Sequence, residues 1–242
     1  MNDFLHDTHA HIDLMGDPLT IVHEIERRKI YTIAVTNLPV LYRQLNNKLS
    51  SKFVRPALGF HPELVGKFKK DIPQMWDSLE QARYIGEVGI DLKVAKDSEA
   101  SQVDFFTELV QRCHQLGGKI LTIHSRGAAQ QVVDIIGHAF NGKYILHWYS
   151  GGIKTLEEAI TNGAYISVNY AMTCSAAGKR IIQAVPITRL LIESDAPFVI
   201  VKGKPYDTFN VSLTLEKIAS IKNISYSEMS TQLQQNFKRL IS

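Results

Sequence analysis

The 242-residue chain is 45% hydrophobic and 21% charged, with 27 Lys and Arg against 24 Asp and Glu, which describes an ordinary globular protein. The surplus of +3 neither requires nor forbids a nucleic-acid partner. Two cysteines, Cys113 and Cys174, outside any CxxC pattern exclude a disulfide framework and a thiolate metal site, so a reducing, cytoplasmic setting is expected.

The chain opens on "LHDTHAHIDL", the first strand candidate, with no basic segment and apolar core before it, so no secretory signal is expected. A helix is predicted over "DPLTIVHEIERRK", with Pro18 in its first turn and Ile21, Val22 and Ile25 on one face. Strands "YTIAVTN", "VRPALGFH" and "YIGEVGID" follow. The clearest helix is "SEASQVDFFTELVQRCHQLGG", where Val103, Phe106, Leu109, Val110 and Cys113 recur at helical spacing and Gly117-Gly118 supplies a stop. Strands "KILTIH", "YILHWY", "YISVN" and "RLLIESD" come next, and "SEMSTQLQQNFKRLI" reads as a closing helix. Apolar runs such as "ITRLLI" are too short to span a bilayer, so no membrane association is expected.

Eight strand candidates alternating with helices predict a parallel α/β architecture. Eight units in this length favour a closed (β/α)8 TIM barrel of the metal-dependent hydrolase type over an open sheet. No linker or low-complexity tract divides the chain, so residues 1–242 are expected to form a single domain.

Chemistry in such barrels collects at the C-terminal ends of the strands. Here the polar residues ending successive strands are His11, Asn37, His61, Glu87, His124, His147, Asn169 and Asp195, at intervals of 22 to 37 residues. His9 and His11, at i and i+2 on a strand, point the same way, with Asp7 on the same face. Two imidazoles form half of a first shell for a divalent metal, although a polar edge strand would also explain them. Glu87 in a buried strand needs a cation, a proton or hydrogen bonds to offset its desolvation; a structural ion pair is the alternative to a carboxylate bridging two metals. His124 and His147, each singly, would read as core histidines, and Asp195 as a turn residue or helix cap. Together these six residues supply the mixed nitrogen and oxygen set of a two-metal hydrolytic site. Asp195 would hold a metal and accept the proton of the attacking water, and Glu87 is the other carboxylate of that catalytic pair.

Around this set, His61 in "GFHPE" could donate to a phosphate oxygen, and Arg126 could offer a forked donor to a phosphate. A turn histidine and a surface salt bridge are the plain alternatives. Asp7 and Glu193 are expected to orient ligands or water. Trp148 and Tyr149 could stack on bases, with packing at the barrel mouth as the alternative. His6, His23, His114 and His138 fall off the pattern and are assigned structural or surface roles.

With these segments in place, the sequence resembles the TatD-related metal-dependent deoxyribonucleases over nearly its whole length. The resemblance runs in order through "DTHAHIDL", "GFHPE", "IGEVGIDL", "IHSRGA", "HWYSGG" and "LLIESDAPF", and ends on "NFKRLI" near Asn236. It implies a TIM barrel and a divalent-metal phosphodiesterase acting on DNA, often as a 3′-to-5′ exonuclease, with RNA as a further substrate to test. It implies His9, His11, Glu87, His124, His147 and Asp195 as ligands of two ions (Mg2+, Mn2+ or Zn2+) and His61 as a substrate-side histidine. "HIDLMGDPLTIVHEIERRKIYTIAVTNLP" and "ALGFHPELV" further resemble the TatD-type nuclease of the bacterial Qat anti-phage defence system, which implies companion proteins.

Three departures bear on substrate preference. Trp148 stands where the wider family often has Cys, "VKGKPYDTFN" brings Lys202 and Lys204 where many relatives carry an Asn-Glu-Pro-like element, and the chain is somewhat short. An amidohydrolase acting on a small ester, amide or phosphotriester would use the same metals, and a mainly structural subunit of a defence complex is the third alternative.

Overall fold

A computed structural model describes residues 5–242. In chain order the main elements begin with β1 (Leu5–Ala10), α1 (Pro18–Arg28), β2 (Ile30–Ala34), α2 (Pro39–Lys48), β3 (Val54–Pro56), α3 (Pro62–Val65) and α4 (Ile72–Leu79). The middle of the chain forms β4 (Tyr84–Gly89), α5 (Glu99–Leu116), β5 (Lys119–His124), α6 (Ala129–Ile136), β6 (Gly142–His147) and α7 (Ile153–Thr161). The last part forms β7 (Tyr165–Val168), α8 (Tyr170–Cys174), α9 (Ala176–Ala184), β8 (Leu190–Ile192), β9 (Ile200–Val201), β10 (Lys204–Pro205), α10 (Val211–Lys222) and α11 (Tyr226–Ile241). The three helices read from periodicity are α1, α5 and α11. Asp17 caps α1 by accepting from Thr20 N, Gly117 closes α5, and Ser225 and Glu228 form a reciprocal capping box on α11.

The chain folds as two compact units. One comprises the described residues through Ala34, Lys48–Arg55 and Ile166–Ser242. In it β1 pairs in parallel with β2, and β7 with β8. The end of β8 is tied to β1: Thr8 Oγ1 donates to Ile192 O at 3.1 Å, Asp195 N to His9 O at 2.9 Å, and His11 N to Ala196 O at 2.8 Å. β8, with Leu190, Leu191 and Ile192 all buried, packs against α11, whose Met229, Leu233, Phe237 and Leu240 are buried as well. Asn236, fully buried, donates to Ile187 O at 2.7 Å and Leu190 O at 2.8 Å, which pins α11 against the start of β8.

The other unit comprises Val35–Asn47 and Pro56–Tyr165. Its centre is the parallel run β4-β5-β6, extended by a parallel bridge between Leu58 and Ile85. The predicted strand over residues 54–61 is regular only through Pro56. Beyond it the chain is held by Thr36, whose Oγ1 donates to Ala57 O at 2.9 Å and accepts from Gly59 N at 3.2 Å. A Cβ at Gly59 would lie 1.6 Å from Thr36 O, so only glycine permits this approach.

His6, assigned to a structural role, is buried and stacks on Phe237 of α11 with ring centroids 4.5 Å apart. Burial lowers its pKa from 6.5 to about 3, so the native ring stays neutral while an unfolded chain protonates it near its usual value. Between those values the unfolded state binds more protons, and stability falls as pH drops below 6.5. By pH 5 this residue is expected to cost about 2 kcal/mol. His6→Gln keeps an acceptor for Ile192 N–H but does not titrate. Denaturant unfolding at pH 7.5 and 5.0 should show a smaller loss for the variant, and identical losses would contradict the assignment.

Candidate metal centre

The strand ends carry the expected polar residues. His124 and His147 are the last residues of β5 and β6, and Glu87 lies inside β4 two residues from its end. His11, Asn169 and Asp195 follow one to three residues after β1, β7 and β8. Asn37 and His61 lie in loops after β2 and β3, where the backbone has left the ladder.

In the first unit, β1 departs from regular pairing between Asp7 and Ala10, so simple alternation does not hold there. His9 and His11 nevertheless meet, with ring centroids 5.2 Å apart. Asp195 Oδ1 lies 3.7 Å from His9 Nε2 and 3.8 Å from His11 Nε2, and all three residues are buried. These separations exceed a hydrogen bond. They approach the roughly 3.0–3.4 Å that separates neighbouring ligands around an ion with bonds of about 2.1 Å. Asp195 adopts φ +49, a region open to Asp but sparsely used, consistent with a backbone held for its side chain's sake.

Asp7 fixes this arrangement from beneath. Its Oδ1 accepts from His9 N at 3.2 Å and Ser194 N at 2.9 Å, joining the backbones that bear His9 and Asp195. Burial raises its pKa to about 6 against the opposing pull of those bonds and of Ser194 and Thr208. Glu193 is buried and accepts from Ser167 Oγ and, at 3.1 Å, from Asn169 Nδ2. Its ties therefore run to β7 and the residue after it. Phe198, more than half exposed, packs its ring edge-on against His11 at 5.1 Å.

In the second unit three imidazoles converge on one carboxylate oxygen. Glu87 Oε1 lies 2.7 Å from His124 Nδ1, 2.9 Å from His147 Nε2 and 3.5 Å from His61 Nε2, and Glu87 is only 3% exposed. His124 Nδ1 and His147 Nε2 are themselves 3.4 Å apart. Two ring nitrogens this close, both directed at one oxygen, form a donor set that fits a divalent cation. His61, Glu87 and His124 each offer one ligand atom, and these atoms lie within 4.8 Å of one another. His61 also caps α3, its Nδ1 accepting from Glu63 N at 3.3 Å, so the turn role and the site role coexist.

Asp91 is the residue that sequence reasoning missed. Its Oδ2 lies 2.8 Å from His124 Nε2, and its Oδ1 accepts from Lys93 N at 2.7 Å and Val94 N at 2.8 Å. Burial alone would raise the Asp91 pKa, but these bonds hold it at about 2. Burial likewise works against protonated His124, and the bonds to Asp91 and Glu87 outweigh it, raising its pKa. A carboxylate behind an imidazole fixes tautomer and ring orientation, as ligand histidines require. Arg126 and Trp148 reach the surface, whereas Tyr149 is buried and donates to Gly152 O at 2.8 Å.

These features define a metal-dependent hydrolase. The match to known proteins agrees: the family model "TatD related DNase" fits residues 6–242, and the chain belongs to that family. It is 27% identical to YabD of Bacillus subtilis, named an uncharacterized metal-dependent hydrolase, over 98% of both chains. It is 25% identical to human deoxyribonuclease TATDN3, covering 78% of this chain and 74% of that protein. The crystal structure of YJJV, a TATD homolog from Escherichia coli, superposes with a TM-score of 0.87 at 20% identity, covering 99% of this chain and 98% of that one. The fold is thus the TatD-type (β/α)8 barrel. Among the described residues no helix is long and apolar enough to cross a membrane.

Proposed function

We propose that this chain is a divalent-metal phosphodiesterase that hydrolyses DNA, trimming strands from the 3′ end. His9, His11, Glu87, His124, His147 and Asp195 would be the ligands, for two ions in all. The observation that carries the reading is the convergence of His124, His147 and His61 on Glu87 Oε1. The deoxyribonuclease name of the human relative supports the choice of substrate.

When bound, the ions supply Lewis acidity, lowering the pKa of water and stabilising charge on the phosphate. The protein's own groups do the rest. Asp195 accepts the proton of the water that attacks phosphorus, and the P–O3′ bond breaks to release a 5′-nucleotide. His61 donates to a non-bridging oxygen of the phosphate being cleaved, and Arg126 pairs with phosphate charge elsewhere on the bound strand. Asp91 and Asp7 keep His124 and His9 aligned. The resemblance of the N-terminal third to the Qat nuclease supports a place in cytoplasmic anti-phage defence beside companion proteins.

An end-labelled oligonucleotide, incubated with Mg2+, Mn2+ or Zn2+, should be shortened stepwise from its 3′ end. Excess chelator should abolish the cleavage and added metal restore it. Intact DNA and RNA under all three metals would sink the proposal.

A further inference from the structure

Beside the His124 cluster, within the same unit, lies a pocket of about 390 Å³. It is lined by Lys93, Arg126, Gly127, Gln130, Gly151 and Gly152 among others, and no carboxylate lines it. Lys93 and Arg126 are exposed, and neither meets a carboxylate among the described residues. The Gln130 amide is already committed, its Nε2 to Asp134 and Glu158 at 2.9 Å each and its Oε1 to Thr155 at 2.6 Å. Lys93 and Arg126 are therefore the charged groups of this pocket.

Their placement is built rather than incidental. Arg126 lies two residues beyond His124, and Lys93 two beyond Asp91, the partner of His124. The two loops are stitched together by Ile90 N to His124 O and Leu92 N to Arg126 O, both at 3.0 Å. The Asp91 carboxylate pins the Lys93 and Val94 amides from the other side. Gly127, at φ +75, leaves room for the lysine: a Cβ there would sit 3.1 Å from Lys93 Cγ. Two cations that line one hollow without acids, next to Gly127, match a phosphate group.

We propose that Lys93 and Arg126 form a second phosphate subsite that holds a phosphate of the nucleic-acid chain other than the one being cleaved. This rests on the nuclease reading for its substrate, while the pocket's affinity for phosphate can be measured without turnover. The subsite sets how the chain lies across the centre, and so which bond is presented.

The test follows amide resonances of Gly127, Gly151 and Gly152 by NMR during titration with inorganic phosphate. Saturable shifts are expected in the native protein, and their loss in Lys93→Ala/Arg126→Ala. Gly127→Asp, which sets a carboxylate against Lys93, should suppress them as well. Absence of shifts, or equal shifts in the double variant, would overturn the subsite. In the Glu87→Gln background, a short single strand should bind roughly tenfold more weakly once Lys93 is also removed, with a salt slope shallower by about 0.7. A tenfold preference for a strand ending in phosphate over one ending in hydroxyl would assign the pocket to a terminal phosphate, and equal binding to an internal phosphodiester. If the native protein cleaves no nucleic acid yet the phosphate shifts persist, the nuclease reading falls and the pocket stands.

Discussion

Glu87→Gln is expected to lower kcat/KM for DNA cleavage by about a thousandfold while the protein stays folded and monodisperse. The size follows from what one oxygen does. Glu87 Oε1 is approached by His124 at 2.7 Å, His147 at 2.9 Å and His61 at 3.5 Å, so it is the common point of the cluster. Glutamine is nearly isosteric but neutral, and the oxygen it keeps is a far weaker donor to a cation. Loss of a hard anionic ligand weakens the metal and removes negative charge that balances it, together worth about 4 kcal/mol at a water-excluded site. Metal analysis should show less than one ion per chain in the variant against two in the native protein. Retention of both ions with undiminished turnover would exclude Glu87 from the metal centre and leave it a structural carboxylate. A variant with both ions but low turnover would instead assign it to the chemical step alone.

The placement of the candidate site is legible in the sequence because the strand ends are where a barrel gathers chemistry. Each of His11, Glu87, His124, His147 and Asp195 lies within a few residues of the end of its strand. What was not legible depends on departures from regular geometry or on distant partners. Asp91 shares the segment "YIGEVGID" with Glu87, but the pairing of β4 with β5 shifts register between Ile85 and Val88, so counting faces does not show which acid meets which histidine. In the sequence His6 falls off the ligand pattern, which leaves it a structural or surface role. Its explanation is Phe237, far along the chain, and no local signal connects them. The segment "VKGKPYDTFN" shows its basic Lys202 and Lys204 in the sequence but not its structure, the hairpin β9–β10 with Lys202 and Gly203 at φ +50 and +76. Lysine at such a turn position carries little sequence signal beside the Asn or Asp usual there.

Lys119 shows the same limit in energetic form, and its replacement is expected to have the largest effect on stability outside the metal centre. A lysine opening a strand reads as a solvated charge, yet this one is buried. Its Nζ donates to the carbonyl oxygens of Leu79, Glu80 and Ala82, each at 2.8 Å. Those carbonyls lie at and just beyond the C-terminus of α4, where four acceptors have no partner within the helix. A cation there also opposes the negative end of the helix dipole. Lys119→Met preserves much of the buried stem and removes all three donors, leaving acceptors away from water. The cost of unsatisfied buried acceptors, partly offset by no longer desolvating an ammonium, sums to about 3 kcal/mol. In a chain of this size that lowers Tm by about 9 °C. Lys119→Arg should recover part of the loss, since a guanidinium can still donate but its fork does not match three convergent oxygens. Calorimetry on the three proteins decides the matter. Equal stability of the methionine variant would mean that the ammonium costs as much to bury as its bonds return. The ordering Lys above Arg above Met would show that β5 and the end of α4 are locked together by this one side chain.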